Sequence, residues 1–187
     1  MEDIARLCRA IYEDHGPGVT ERVAELVESY RGRVTRPAAY RDGEFPLGSE
    51  DAILIAYGDS FCGDEGPPLA YLHRFLSEEM DGLLTGVHIL PFSPWSSDDG
   101  FSVVDYREVA ADLGTWDDVE RIAADFRLMA DLVLNHCSQE SPWFKAFLRN
   151  EEPYSRYFIT VAPGTDTSMV FRPRALPLLH EFPTSSG

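Results

Sequence analysis

The sequence predicts an α/β protein in which parallel strands alternate with helices. Short apolar runs without polar alternation are typical of strands buried on both faces, as in a parallel sheet. Three such runs alternate with amphipathic helical patterns, which is the order of parallel βαβ units. The runs are residues 52–57, residues 86–90 and a third strand centred on residues 132–134.

Such units build either a doubly wound sheet or a closed (β/α)8 barrel, and periodicity alone does not separate the two. No GxGxxG or GxxxxGK(S/T) motif follows any of the strands, which argues against a nucleotide-binding sheet. The loops instead carry acids, aromatics and a histidine, as at the C-terminal face of a barrel. We therefore predict a partial (β/α)8 TIM barrel with the first three strands. Because a complete barrel has about 250 residues, we expect this chain to be truncated.

The residues before the barrel predict an N-terminal helical extension. Apolar residues spaced as on one helical face predict a first helix over residues 4–11. A second helix follows Thr20, which we expect to cap it, and the Gly-Pro-Gly sequence at 16–18 should separate the two. The stretch 31–50 is rich in proline, glycine and charge, so residues 1–48 are predicted to be the extension and its linker.

Local signals place three further helices. The prolines at 67–68 suit the first turn of a helix. Thr115 followed by Asp118 resembles a capping box. After Cys137 the pattern changes, and residues 141–148 predict a short helix with bulky aromatic side chains.

The composition limits the partners. The formal net charge is −16, which is unsuited to nucleic acid or to an anionic membrane surface. The three cysteines, Cys8, Cys62 and Cys137, form no CxxC motif, so neither a disulfide framework nor a zinc site is predicted. The first residues do not resemble a signal peptide, and no apolar run approaches the ~18 residues of a membrane span. We therefore predict a cytoplasmic protein that binds a neutral or small anionic ligand.

One candidate site follows the third predicted strand. In an extended Asp131–His136 segment, Asp131 and Asn135 point to one side, and His136 lies at the strand end. An imidazole there can donate a hydrogen bond to a hydroxyl group, and the amide of Asn135 can brace the following loop. An isolated histidine at such a position is more often structural, so the neighbouring segments decide whether His136 is predicted to bind a ligand.

Two further loops add polar groups. Residues 91–106 combine acids, a glycine and aromatics. Sugars need this combination, because carboxylates bind vicinal hydroxyls and aromatic faces cover the C–H side of the ring. The same segment read alone could equally be a solvated acidic turn. Asp59, after the first strand, either lines the floor of the site or caps the next turn.

These segments together resemble the α-amylase superfamily, glycoside hydrolase family 13. Residues 131–136 resemble its first signature region, D-x-x-x-N-H, at the end of barrel strand three. The chain is most similar to the sucrose-phosphorylase branch, and the helices before Tyr57 resemble longer relatives that act on glucosylglycerate or sucrose phosphate. The segments that carry this resemblance are GVHILPFSPWSSDDGFSVVDY, LVLNHCSQESPWF and FRPRALPLL.

The resemblance implies a role for each matching residue. Asp98 would hold the outer hydroxyls of a glucosyl unit in subsite −1, Phe101 would form part of the apolar wall, and His136 would bind the 6-hydroxyl. Asn135 matches a position that helps to tie calcium in many amylases. The phosphorylase branch works without that calcium, so no metal is predicted. Asp131 would be a structural acid.

The resemblance also implies a retaining mechanism, in which one carboxylate attacks the anomeric carbon and a second acts as acid and then base. Inorganic phosphate would be the co-substrate, with a sugar as the donor and no cofactor. The family places both carboxylates on later strands, so we assign no catalytic residue here and expect this chain to be inactive alone. Residues 49–136 would hold the first βα units, and residues 137–187 the start of the inserted loop domain.

Several alternatives stay open. The donor could be sucrose, sucrose 6′-phosphate or glucosylglycerate, and an α-amylase-family hydrolase would use water instead of phosphate. The chain could also be a non-catalytic sugar-binding half-barrel. A doubly wound α/β hydrolase is disfavoured because the sequence has no G-x-S-x-G nucleophile elbow.

Overall fold

A computed structural model describes residues 2–33, 48–171 and 177–185. Within the FRPRALPLL segment, residues 172–176 lie outside the described residues. The chain forms two compact units, Met1–Ser49 and Glu50–Gly187. The finer division into domains 1–48, 49–136 and 137–187 stays a prediction.

The first unit is a helical hairpin. Helix α1 spans Glu2–Tyr12, a 3-10 helix spans Glu13–His15, and helix α2 spans Gly16–Arg31. The two predicted helices are confirmed, but the prediction that Thr20 caps the second is wrong. The hydroxyl of Thr20 donates to the Gly16 carbonyl inside α2, at 2.8 Å. The helix begins earlier because a proline is tolerated in its first turn, where no amide donor is needed.

The second unit contains a three-stranded parallel sheet in the order β1-β2-β3. Strand-helix alternation gives this order because each parallel connection needs a crossover. The elements, in chain order, are β1 (Ile53–Ala56), α3 (Pro68–Glu78), β2 (Gly86–Ile89), α4 (Trp116–Asp125), β3 (Arg127–Ala130), α5 (Pro142–Leu148) and a 3-10 helix (Tyr154–Arg156).

The core lies between one face of the sheet and the helices α3 and α4. Val87 and Ile89 of β2 are fully buried there. The helices contribute Leu69, Leu72, Leu76, Val119 and Ile122. On the opposite face, Ile55 and Met129 are 62% and 48% exposed among the described residues. The helix-facing side therefore holds the sheet together, and the other side is the one that faces the interior in a barrel.

The position of the third strand was predicted wrongly. Strand β3 is Arg127–Ala130, not the apolar run 132–134. Register explains the difference, because β2 ends at Ile89, which pairs with Ala130. Residues beyond Ala130 therefore have no neighbouring strand in the sheet described. Leu132 and Leu134 are 71% and 81% exposed, and Val133 between them is buried, so burial alternates over these residues although they are not part of a strand.

The signals for α3, α4 and α5 are confirmed. Helix α3 has proline in its first turn. At the start of α4, the buried carboxylate of Asp118 accepts hydrogen bonds from both the amide and the hydroxyl of Thr115, each at 2.8 Å. Ser141 caps α5 by accepting from the amide of Trp143. Among the described helices, none is both long enough and apolar enough to cross a membrane.

Candidate sugar-binding site

The loop after β2, residues 91–106, folds back on itself as a narrow hairpin, and we call it the β2 loop. Trp95 and Val103 form an antiparallel bridge near its base. At its tip, Asp98, Asp99 and Gly100 all have positive φ, of 63°, 48° and 97°. Aspartate tolerates the left-handed region better than most residues. The turn therefore presents two exposed carboxylates side by side at the C-terminal edge of the sheet.

The loop after β3 meets this hairpin through His136. Its Nε2 lies 3.0 Å from the carbonyl oxygen of Phe101, and the amide of Phe101 donates to the carbonyl of Asp98, also at 3.0 Å. A carbonyl oxygen only accepts, so Nε2 of His136 is the donor. The predicted residues Asp98, Phe101 and His136 are thus joined in one chain of hydrogen bonds.

Asn135 completes this chain from the other side of the ring. Its side-chain oxygen lies 2.9 Å from Nδ1 of His136. Since Nε2 carries a proton, a neutral ring needs a donor at Nδ1, which the Asn135 amide supplies when its oxygen and nitrogen are interchanged. With the oxygen in place, the ring must carry both protons. In either state Asn135 orients the imidazole, and its predicted task of bracing the following loop stays a prediction.

The two loops are also joined by groups that the sequence patterns did not single out. The amide of Ser138 donates to the carbonyl of Val103 at 2.8 Å, and the hydroxyls of Ser138 and Ser96 lie 2.6 Å apart. Ser138 is buried. The hydroxyl of Tyr106 donates to the carbonyl of His136 at 2.6 Å. The available signal was a hydroxyl residue two positions after the histidine, which is too common to be used alone.

Asp131 and Asp59 occupy separate places. The carboxylate of Asp131 lies 2.9 Å from Nε2 of His88 on β2, and both side chains are mostly buried. This contact ties the residue after β3 to the neighbouring strand. Asp59 lines an open cleft of about 220 Å³ after β1. The cleft is lined by Tyr57, Gly58, Asp59, Pro91, Trp95, Asp99, Asp112 and Leu113.

The residues that line this cleft show that Asp98 and Asp99 of the β2 loop have different neighbours. Asp99, rather than Asp98, shares the cleft with Asp59. Asp98 instead belongs to the turn that reaches Phe101 and His136. The sequence predicted Asp59 and Asp98, but Asp99 and Asp112 were not predicted. The C-terminal edge of the sheet therefore carries a strongly acidic surface.

The base of the β2 loop is fixed by an ion pair. The carboxylate of Asp105 accepts from the amide of Arg107 at 2.9 Å and from two guanidinium nitrogens at 3.0 and 2.6 Å. The side-chain hydrogen bond from Arg107 holds the pKa of Asp105 below its ordinary value of 3.8. The indole of Trp116 donates to the carbonyl of Arg107 at 2.9 Å. The loop is thereby attached to the start of α4.

A lowered pKa of Asp105 in the folded state makes stability depend on pH in a defined direction. The carboxylate stabilises the fold above its ordinary pKa, and this contribution is lost as the pH falls through the lower folded value. We expect Asp105→Asn to lower the urea midpoint at pH 7, and its difference from the wild type to narrow as the pH falls from about 4 towards about 2.

The matched control is Glu151→Gln. Glu151 also accepts two hydrogen bonds from an arginine, Arg149, which lowers its pKa. Both of those side chains are about half exposed, however, whereas the side chain of Asp105 is 14% exposed. Solvent screens the exposed pair, so the control should leave the urea midpoint almost unchanged. An equal effect of the two substitutions would contradict a special role for Asp105.

A parallel sheet with these groups at the ends of its strands defines part of a (β/α)8 barrel. The chain belongs to the α-amylase family, because residues 80–182 match the model of the alpha amylase catalytic domain. It is 52% identical over 192 residues to glucosylglycerate phosphorylase of Spirochaeta thermophila, covering 100% of this chain and 33% of that protein. It is 37% identical over 110 residues to sucrose 6(F)-phosphate phosphorylase of Thermoanaerobacterium thermosaccharolyticum, covering 58% and 22%.

Solved structures give the same fold. The crystal structure of sucrose 6F-phosphate phosphorylase from Thermoanaerobacter thermosaccharolyticum matches with a TM-score of 0.51 and 35% identity, over 59% of this chain and 22% of that one. Trehalulose synthase MutB from Pseudomonas mesoacidophila matches with a TM-score of 0.52 and 28% identity, over the same fractions. The resemblance to the sucrose-phosphorylase branch and the predicted partial barrel are confirmed. The chain spans about a third of the length of the curated glucosylglycerate phosphorylases from Spirochaeta thermophila and Allomeiothermus silvanus that it matches.

Proposed function

We propose that this chain forms the glucosyl-binding wall of a retaining sugar phosphorylase, with glucosylglycerate as the preferred donor. The observation that carries the proposal is the hydrogen-bonded series of Asp98, Phe101 and His136 at the C-terminal edge of the sheet. The choice of donor is supported by identities of 52%, 51% and 46% to three glucosylglycerate phosphorylases, against 35–37% for sucrose and sucrose 6(F)-phosphate phosphorylases.

Each residue has a chemical task in this proposal. The carboxylate of Asp98 accepts hydrogen bonds from the outer hydroxyls of the glucosyl ring, and the Phe101 side chain covers an apolar part of that ring. His136 donates through Nε2 to the 6-hydroxyl. Since Nε2 contacts the Phe101 carbonyl in the unliganded chain, the sugar hydroxyl replaces or shares that acceptor. The loop geometry thus holds the donor proton in place before the sugar binds.

The charge of this wall indicates which part of the substrate it binds. Asp59, Asp98, Asp99 and Asp112 lie on two loops at the same edge. Glycerate and phosphate are anions, and like charges at close range repel. We therefore place the neutral glucosyl ring on this wall. The anionic leaving group and the phosphate acceptor bind to groups from other parts of the barrel.

The reaction needs two carboxylates about 5 Å apart, and we assign neither to this chain. One attacks the anomeric carbon while the other protonates the oxygen of the departing glycerate. A phosphate oxygen then attacks the same carbon and gives its proton to the second carboxylate, the bond from that carbon to the first carboxylate breaks, and glucose 1-phosphate is released. In this scheme the 187 residues alone release no product. The co-substrate is inorganic phosphate, and the scheme uses neither a metal nor a cofactor.

The proposal is tested by measuring glucose 1-phosphate release from glucosylglycerate, sucrose and sucrose 6′-phosphate. The assay uses the complete polypeptide that the gene encodes, with and without phosphate, and the 187-residue chain in parallel. We expect phosphate-dependent release, fastest from glucosylglycerate. Preference for sucrose would overturn the choice of donor. Release of free glucose independent of phosphate would overturn phosphorolysis in favour of hydrolysis.

A second candidate function is a non-catalytic sugar-binding half-barrel. It is favoured by one observation, that all contacts joining Phe101 to His136 lie within this chain. Calorimetric titration of the 187-residue chain with glucose tests it. Saturable binding together with no phosphorolysis by the complete polypeptide would favour this function over the first.

A further inference from the structure

The sheet does not hold His136 in position. Strand β3 ends at Ala130, six residues earlier. Val133 is buried between them, but Leu134 and Asn135 are exposed, so neither strand pairing nor core packing reaches the two residues directly before the imidazole. The ring itself contacts Asn135 and the carbonyl of Phe101, and the backbone at His136 needs a further contact outside the sheet.

The hydroxyl of Tyr106 makes such a contact on the backbone itself, because it donates to the carbonyl oxygen of His136 at 2.6 Å. The Tyr106 ring is itself held, because it stacks on Trp143 of α5 with ring centroids 5.4 Å apart and an angle of 18° between the planes. Its neighbour Arg107 is tied to Asp105 and, through its carbonyl, to Trp116 at the start of α4. Tyr106 therefore fixes the carbonyl of His136 relative to helices α4 and α5.

The two loops are also joined by hydrogen bonds in which Tyr106 takes no part, so an effect of Tyr106 on His136 can be separated from an effect on folding. The amide of Ser138 donates to the carbonyl of Val103, and the Ser138 hydroxyl meets that of Ser96. These bonds join the two loops without Tyr106. Loss of the Tyr106 hydroxyl should therefore free the backbone carbonyl of His136, and so shift its ring, while the loops stay attached. Burial raises the pKa of Tyr106, and the charge of the Cys137 thiolate adds to the effect, so the phenol remains a donor under assay conditions.

We propose that Tyr106 is a positioning residue that acts through His136, setting the direction in which the imidazole donates to the donor sugar. The inference rests on the proposed function for the identity of the sugar. The contact itself is independent of that function, because it joins a phenol to a backbone carbonyl whether or not sugar is bound.

The first test is Tyr106→Phe in the complete polypeptide, which removes one hydroxyl and keeps the ring stacked on Trp143. We expect kcat/KM for the glucosyl donor to fall about tenfold, as for a displaced hydrogen-bond donor. The matched control is Tyr71→Phe. The Tyr71 hydroxyl accepts from the amide of Glu65 at 2.6 Å, so a bond between a phenol and the backbone, of opposite direction, is lost outside the site, and kcat/KM should stay unchanged.

A double-mutant cycle with His136→Ala distinguishes positioning from general damage. If Tyr106 acts through His136, Tyr106→Phe should cost less than about twofold in kcat/KM once the imidazole is gone, because coupled residues are not additive. If kcat/KM of the double variant falls by the product of the two single losses, the proposal is overturned. Equal behaviour of Tyr106→Phe and Tyr71→Phe would also overturn it.

A readout independent of activity keeps this inference separate from the proposed function. In 15N-labelled protein, the ring nitrogens of His136 report whether Nε2 is protonated and hydrogen-bonded. We expect Tyr106→Phe to shift these signals and Tyr71→Phe to leave them in place. An unchanged His136 spectrum in Tyr106→Phe would overturn the positioning role even if phosphorolysis is found. A shifted spectrum without phosphorolysis by the wild type would support positioning and refute the proposed function.

Discussion

Replacing His136 by alanine should lower kcat/KM for phosphorolysis of the glucosyl donor by about 100-fold, since misplaced or missing substrate contacts in a closed site can cost this much. The imidazole provides the only donor in the series Asp98, Phe101 and His136 that we assign to a sugar hydroxyl. Its loss also leaves the carbonyl of Phe101 without the partner it has at 3.0 Å. Initial-rate kinetics across donor concentrations, with phosphate saturating, measure the effect.

The control for this substitution is His73→Ala. His73 lies on α3, and its Nε2 is 2.7 Å from the carboxylate of Asp125 on α4. The His73→Ala variant therefore loses an imidazole–carboxylate contact between two helices, away from the loops at the strand ends. We expect kcat/KM to remain within about twofold of the wild type. A His136→Ala enzyme that is as active as His73→Ala would refute the assignment of His136 to the sugar.

The helices of the barrel unit could be predicted because their signals are local. Asp118 lies three residues from Thr115, and the hydrogen bonds between them were visible in the spacing alone. The prolines at the start of α3 act in the same way. Each of these signals depends on neighbours within one helical turn, so no knowledge of the tertiary structure was needed.

The third strand could not be placed in this way, because a strand is defined by its partner. The apolar run at 132–134 has a stronger strand pattern than Arg127–Ala130, which begins with a charged residue. Pairing with β2 decides the outcome, since Gly86 aligns with Arg127 and Ile89 with Ala130. A periodicity rule has no access to this register.

The contacts of His136 could not be predicted from the sequence, for a related reason. Its partner in the β2 loop is the backbone carbonyl of Phe101, 35 residues away, and a carbonyl has no residue-type signature. The bond from Tyr106 also ends on a backbone atom. The resemblance to the family pointed to Asp98, Phe101 and His136 as residues. The structure adds the atoms that join them.

Replacing Gly100 by alanine should destabilise the protein by about 2–4 kcal/mol, which combines the cost of a left-handed backbone with that of overpacking. Gly100 has φ 97°, and an added Cβ would lie 2.7 Å from the carbonyl oxygen of Pro91 and 3.1 Å from its Cβ. Pro91 is buried just after β2, so it has little room to move. Urea unfolding of the purified protein measures the loss.

Gly66→Ala separates the two contributions. Gly66 has almost the same backbone angle, φ 95°, but nothing lies within 4 Å of the position that a Cβ would take. Gly66→Ala should therefore lower the free energy of unfolding by only about 1 kcal/mol, which is the backbone contribution. The difference in free energy between the two variants then measures the contact with Pro91. Equal losses would mean that the tip of the β2 loop does not rest on Pro91. In that case the turn that carries Asp98 and Asp99 would be fixed by the backbone bonds within the β2 loop, such as those that join Ser102 to Ser96 and Ser97, and by its contact with His136.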